Sequence, residues 1–122
     1  MAARKRKKKP KPSPAAPPRL HEAALDSGPS GWVLRGTELD VEAAVARRAA
    51  GLDVVVCGDD VRANRQVARS IEAAVGPPTH PQPPHRNAGP HALPHFHQQS
   101  REPGGHTFYE TDNPARKSRK QP

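Results

Sequence analysis

Apolar positions concentrate between about Trp32 and Val75, and their spacing changes twice along that stretch. Thr37 reads as an N-cap, Glu38, Asp40 and Glu42 follow it, Arg47 and Arg48 stand near the other end, and Gly51 is the stop. Cap, dipole and terminator agree on a helix reaching Ala50. Leu52-Asp53-Val54-Val55-Val56-Cys57 is β-branched and almost continuously apolar, which predicts a strand covered on both faces and ended by Gly58. Val61, Asn64, Val67, Ala68, Ile71 and Val75 then recur at helical spacing. They predict a second helix, capped by Asp59 or Asp60 and stopped by Gly76-Pro77-Pro78.

The flanks are less regular. Leu20 to Leu25 predicts a short helical turn that breaks at Ser27-Gly28-Pro29-Ser30-Gly31, and Trp32, the sole tryptophan, is expected to anchor the core. Thr79 to His91 is too rich in proline for a regular element. Leu93 to His97 and His106 to Glu110 read as two short strands joined through Pro103-Gly104-Gly105. The expected fold is α+β: a helix-strand-helix followed by a short antiparallel β pair, flanked by disordered basic tails.

Composition narrows this picture. Sixteen prolines and nine glycines in 122 residues, with 33% hydrophobic and 3% aromatic, leave room for a single core. Ordering the backbone costs about 1–2 kcal/mol per residue, which only concentrated apolar burial offsets. The net charge is +8, yet residues 1–11 hold seven Lys/Arg and residues 116–122 hold four, neither stretch with an acid. Residues 12–115 carry nine basic against twelve acidic side chains, so the middle is slightly acidic. The expected organisation is a disordered basic, Pro-rich tail or linker at 1–18, a small α+β domain at 19–112 and a basic C-terminal tail at 113–122. Such arms attract phosphate in a salt-sensitive, sequence-indifferent way.

Other chemistry is limited. Cys57 is the single cysteine, so no disulfide frames the fold, and among valines it reads as a small apolar filler. No apolar run approaches the about 20 residues of a membrane helix, so no membrane partner is expected. Prolines follow the basic start where a secretory signal needs apolar residues. The junction Cys57-Gly58-Asp59-Asp60 lacks a Gly-x-Gly-x-x-Gly pattern and already carries two carboxylates, so it reads as a helix cap and not as a phosphate cradle.

Six of seven histidines, His80, His85, His91, His95, His97 and His106, fall between positions 80 and 106. Imidazole titrates near neutral pH, so such a cluster offers a general base, a general acid or metal ligands. On a strand, His95 and His97 share a face. One reading is metal-free RNA cleavage by imidazoles among His95, His97 and His106, with Arg86 or Arg101 at the phosphate and Thr107 and Tyr109 adding hydroxyls. A second makes His91, His95, His97 and His106 ligands for zinc or another divalent metal in a metal-dependent nuclease. A third treats the segment as solvated Pro- and His-rich linker, leaving a non-enzymatic nucleic-acid-binding or assembly protein that acts through its basic tails.

Asn87-Ala88-Gly89-Pro90-His91-Ala92-Leu93-Pro94-His95-Phe96-His97, with Gly105-His106-Thr107-Phe108-Tyr109, resembles C-terminal toxin domains of bacterial polymorphic toxins, over roughly Val54 to Arg119. Many of these cassettes are nucleases. The resemblance implies His95, His97 and His106 as first catalytic candidates, with Thr107 and Tyr109 beside them. It also implies RNA and an acidic immunity protein as partners. A cytoplasmic location is then expected, or delivery into a target cell's cytoplasm within a larger secreted toxin. The methionine directly before the basic tail and the mildly acidic middle depart from that pattern.

Overall fold

The valine run is a strand covered on both faces: in β3 (Val54–Cys57), Val54, Val55 and Val56 are wholly buried. The computed structural model describes residues 16–84 and 88–121. Before β3 come β1 (Arg19–Leu25), β2 (Val33–Leu39) and α1 (Val41–Ala49); after it come α2 (Val61–Val75), β4 (His95–Phe96), β5 (Thr107–Tyr109) and β6 (Arg119–Lys120). The strands form one six-stranded mixed sheet in the order β4-β5-β3-β1-β2-β6.

This sheet replaces the expected helix-strand-helix with a detached β pair, while the α+β class stands. Leu20 to Leu25 is no helical turn: β1 is antiparallel to both β2 and β3, so strand neighbours on each side satisfy its backbone. Thr37 is not a cap, because β2 continues to Leu39, which pairs with Leu20. Asp40 caps α1, its carboxylate accepting from the Ala43 N–H at 2.7 Å. Of the two aspartates expected as the α2 cap, Asp60 takes the position, accepting from Arg62 and Ala63.

β4 and β5 are the antiparallel pair expected from the sequence, but β5 also runs parallel to β3, which makes the pair one end of the sheet. The C-terminal segment is likewise no loose tail. β6 lies parallel to β2, and buried Ser118 donates its backbone N–H and its hydroxyl to the Glu110 carboxylate. Of the segment 1–18 expected as a basic tail, residues 1–15 lie outside the described residues, and no helix among those described is long and apolar enough to cross a membrane.

Side-chain alternation splits the core in two. On the helix side, Leu20, Val54, Val56, Phe96 and Tyr109 meet Ala44, Ala68 and Ile71. The opposite face carries a smaller cluster of Ala23, Val33, Val55, Leu93 and Phe108. Trp32 is in neither cluster. It is half-buried, stacked on His91 with ring centroids 3.8 Å apart, with the Arg119 guanidinium 5.3 Å from its ring.

Candidate functional site

Strand register decides which histidines meet. His95 pairs with Phe108 across β4 and β5, so His95, His97, His106 and Phe108 share the side of the sheet away from the helices. Ring centroids of His95 and His106 are 4.8 Å apart, those of His97 and His106 are 6.2 Å apart, and those of His95 and His97 are also 6.2 Å apart. The three imidazoles therefore converge.

Their roles in the cluster differ. His97 and His106 line a polar cavity of about 190 Å³ together with Arg101, Pro103, Gly104 and Gly105. His95 is almost fully buried and stands edge-on behind His106 and against Phe108. The His97 Nδ1–H donates to the Gln98 carbonyl at 2.8 Å, which puts the lone pair of the neutral ring on Nε2. Arg101 has φ +68°, a left-handed conformation costly for a side chain of this kind.

Asp53, just before β3, supports His106. The His106 backbone N–H donates to Asp53 Oδ1 at 2.8 Å, and His106 Nδ1 lies 3.5 Å from the same oxygen. Burial alone would raise the Asp53 carboxyl. Bonding to His106 and the positive charges of His106 and Arg48 outweigh burial and hold it below its ordinary value.

A buried polar network beneath the sheet clamps both histidine segments. Arg48 and Glu72 are wholly buried and form a two-point ion pair. Arg48 also donates to the carbonyls of Gly104 and Gly105, directly before His106. Gln98, directly after His97, donates its Nε2 to the Glu72 carboxylate at 2.7 Å and to the Glu72 carbonyl at 2.9 Å. A Cβ at Gly105, whose φ is +90°, would stand 2.7 Å from Arg48 Nη1, so only glycine lets the loop approach the guanidinium.

The other expected site residues lie elsewhere. The Thr107 hydroxyl points to the helix side and donates to Glu72, which makes Thr107 a member of the buried network. Tyr109 is buried on that same side against Phe96. His91 leaves the cluster to stack on Trp32, and its Nδ1 donates to the Ala115 carbonyl at 2.7 Å. Arg86 lies outside the described residues. The proposed metal-ligand set is divided by the departure of His91, and among the described residues no three His, Cys, Asp or Glu side chains form a group suited to holding a metal ion.

Asp53, Arg48, Glu72 and Gln98 are absent from the sequence reading of the site. A signal existed for two of them. By helical spacing Arg48 follows Ala44 on the inward face of α1, and Glu72 adjoins Ile71 and follows Ala68 on that of α2, so each charge falls where an apolar residue is expected. Nothing local marks Asp53 or Gln98, whose partners stand 53 and 26 residues away. No protein-family model matches this chain, and no match is found among curated proteins or among solved structures.

Proposed function

We propose that the protein is a metal-independent ribonuclease that uses His97 and His106 as its acid–base pair. One observation carries the reading: two imidazoles and an arginine, Arg101, line the same small polar cavity. His97, whose Nε2 bears the lone pair in the neutral tautomer, takes the proton of the ribose 2′-hydroxyl. The 2′-oxygen forms a bond to phosphorus as the bond to the 5′-oxygen breaks, and His106, facing the ionised Asp53, protonates that leaving oxygen. The products are a 2′,3′-cyclic phosphate and a 5′-hydroxyl end. Arg101 offers a fixed positive charge to the pentacoordinate phosphorus centre. His95 and Asp53 are positioning residues for His106.

The likeness of residues 87–97 and 105–109 to polymorphic-toxin cassettes supports reading this chemistry as that of a toxin acting on cellular RNA, with an acidic immunity protein as its antagonist. Exposed Arg119 and Lys120 supply non-specific attraction to the RNA backbone.

The test is cleavage of an end-labelled RNA by the purified chain in the presence of a chelator. Cleavage that persists with chelator, falls about 10²–10⁴-fold in His97→Ala and His106→Ala, and stops when the scissile ribose is replaced by deoxyribose is the expected result. No cleavage by the unmutated chain, or cleavage of the deoxy-substituted strand, overturns the reading.

A further inference from the structure

His106 borders a second hollow as well as the polar cavity. This one measures about 150 Å³, is mostly apolar, and is walled by Trp32, Leu93 and Phe108, with Asp26 and Gly28 also among its lining residues and the exposed Asp26 side chain reaching toward Gly28. Its two loops are locked together. The His91 N–H donates to the Ser30 carbonyl at 2.9 Å, and a Cβ at Gly89, φ +117°, would stand 2.4 Å from the Pro29 carbonyl oxygen. Trp32 is itself held by His91 and Arg119, so the wall is pre-formed. A pocket for a drug-sized molecule spans about 300–1,000 Å³; this hollow suits one flat ring system.

We infer that the apolar hollow and the polar cavity are two compartments of one guanine-nucleotide site, with the base in the first, the phosphate in the second and His106 between them. The polar cavity supplies Arg101 and the imidazoles to the phosphate. At the apolar hollow the one charged side chain among the lining residues besides His106 is Asp26, and an ionised carboxylate can only accept hydrogen bonds. Guanine presents two neighbouring donors, N1–H and the N2 amino group, to the two oxygens of Asp26, whereas uracil offers one N–H flanked by carbonyls that a carboxylate repels. This deepens the ribonuclease reading, since it predicts cleavage directed by guanine, but nucleotide binding stands independently of catalysis.

Trp32 is the only tryptophan and lines the hollow, so its fluorescence reports occupancy. The full chain is titrated with guanosine 3′-monophosphate, uridine 3′-monophosphate, guanosine and inorganic phosphate, and calorimetry reads the same constants should the indole signal stay flat. The guanosine nucleotide is expected to bind about tenfold or more tightly than the uridine nucleotide. Asp26→Asn, an exposed position whose change leaves the fold intact, abolishes that preference without weakening phosphate binding. Arg101→Ala weakens both monophosphates alike and leaves guanosine unaffected. Equal affinity for the two monophosphates, or a preference that survives Asp26→Asn, overturns the inference. Guanine-selective binding without RNA cleavage removes the reaction and keeps the site; RNA cleavage indifferent to base keeps the reaction and removes the site.

Discussion

The two faces of β5 put neighbouring residues of one strand to opposite uses. Thr107 and Tyr109 point to the helices, into a region where the Arg48–Glu72 pair is wholly buried and bonded on several sides. Phe108, and His106 just before the strand, point the other way, where two hollows meet the imidazole ring. The difference teaches how a small chain builds a site. The closed face tolerates buried charges because each finds partners, and those same partners hold the loops that present His97 and His106 on the open face. Closed-face changes should therefore cost stability, and open-face changes should cost chemistry.

The largest effect is expected at Glu72. Glu72→Ala leaves Arg48 charged and unpaired in the core, which costs about 3–5 kcal/mol in denaturant unfolding and can exceed what a domain of this size has to lose. A Glu72→Ala protein as stable as the parent would break the comparison from the closed side. His106→Ala and His97→Ala come next: RNA cleavage drops about 10²–10⁴-fold while unfolding free energy moves by no more than about 1 kcal/mol. Parallel loss of fold and activity in these variants would show that the open face is structural too.

Asp53 lies between the two faces and sharpens the contrast through pH. Its folded carboxyl titrates below the ordinary 3.8, so the stability it adds is present above that value and is lost as pH falls through the depressed one. The stability gap between the parent and Asp53→Asn, measured by denaturant unfolding across pH, should be open at neutral pH and close in strong acid. Cleavage by Asp53→Asn should also fall, by less than in His106→Ala, because the ring remains but loses its charged support.

The smallest effect concerns Cys57. Burial pushes its thiol up to about 12, the Ser118 hydroxyl opposing and the Glu110 carboxylate adding to the rise. Iodoacetamide at pH 8 should label the native chain slowly and the unfolded chain fast. Rapid native labelling would show that this end of β3 opens.

Much of the local structure was legible. The second helix, its cap at Asp59 or Asp60 and the β3 valines announce themselves through spacing and through chemistry confined to a few neighbours. That His95 and His97 share a side was also legible, since side chains alternate along a strand; that His106 joins them was not, because it depends on the register of β4 against β5. Arg19 to Leu25 was not, because Leu, Glu and Ala favour helix in isolation and only strands on both sides make that segment extended. Thr37 misled for a related reason: it has the chemistry of a cap, but pairing of β2 with β1 carries the strand past it.

What the amino-acid order determined by itself is therefore the local part: where the second helix starts and stops, where the first one ends, which run is buried on both faces, and that imidazoles gather late in the chain. Tertiary structure alone decided the rest. It turned the basic C-terminus into an edge strand through Ser118 and Glu110, sent Thr107 and Tyr109 to the helix side, withdrew His91 to Trp32, and set Asp53 against His106. The physical reason is distance along the chain: caps and periods act over a few residues, whereas strand pairing and long-range hydrogen bonds join positions as far apart in the chain as Leu34 and Arg119, and exist only once the sheet has formed.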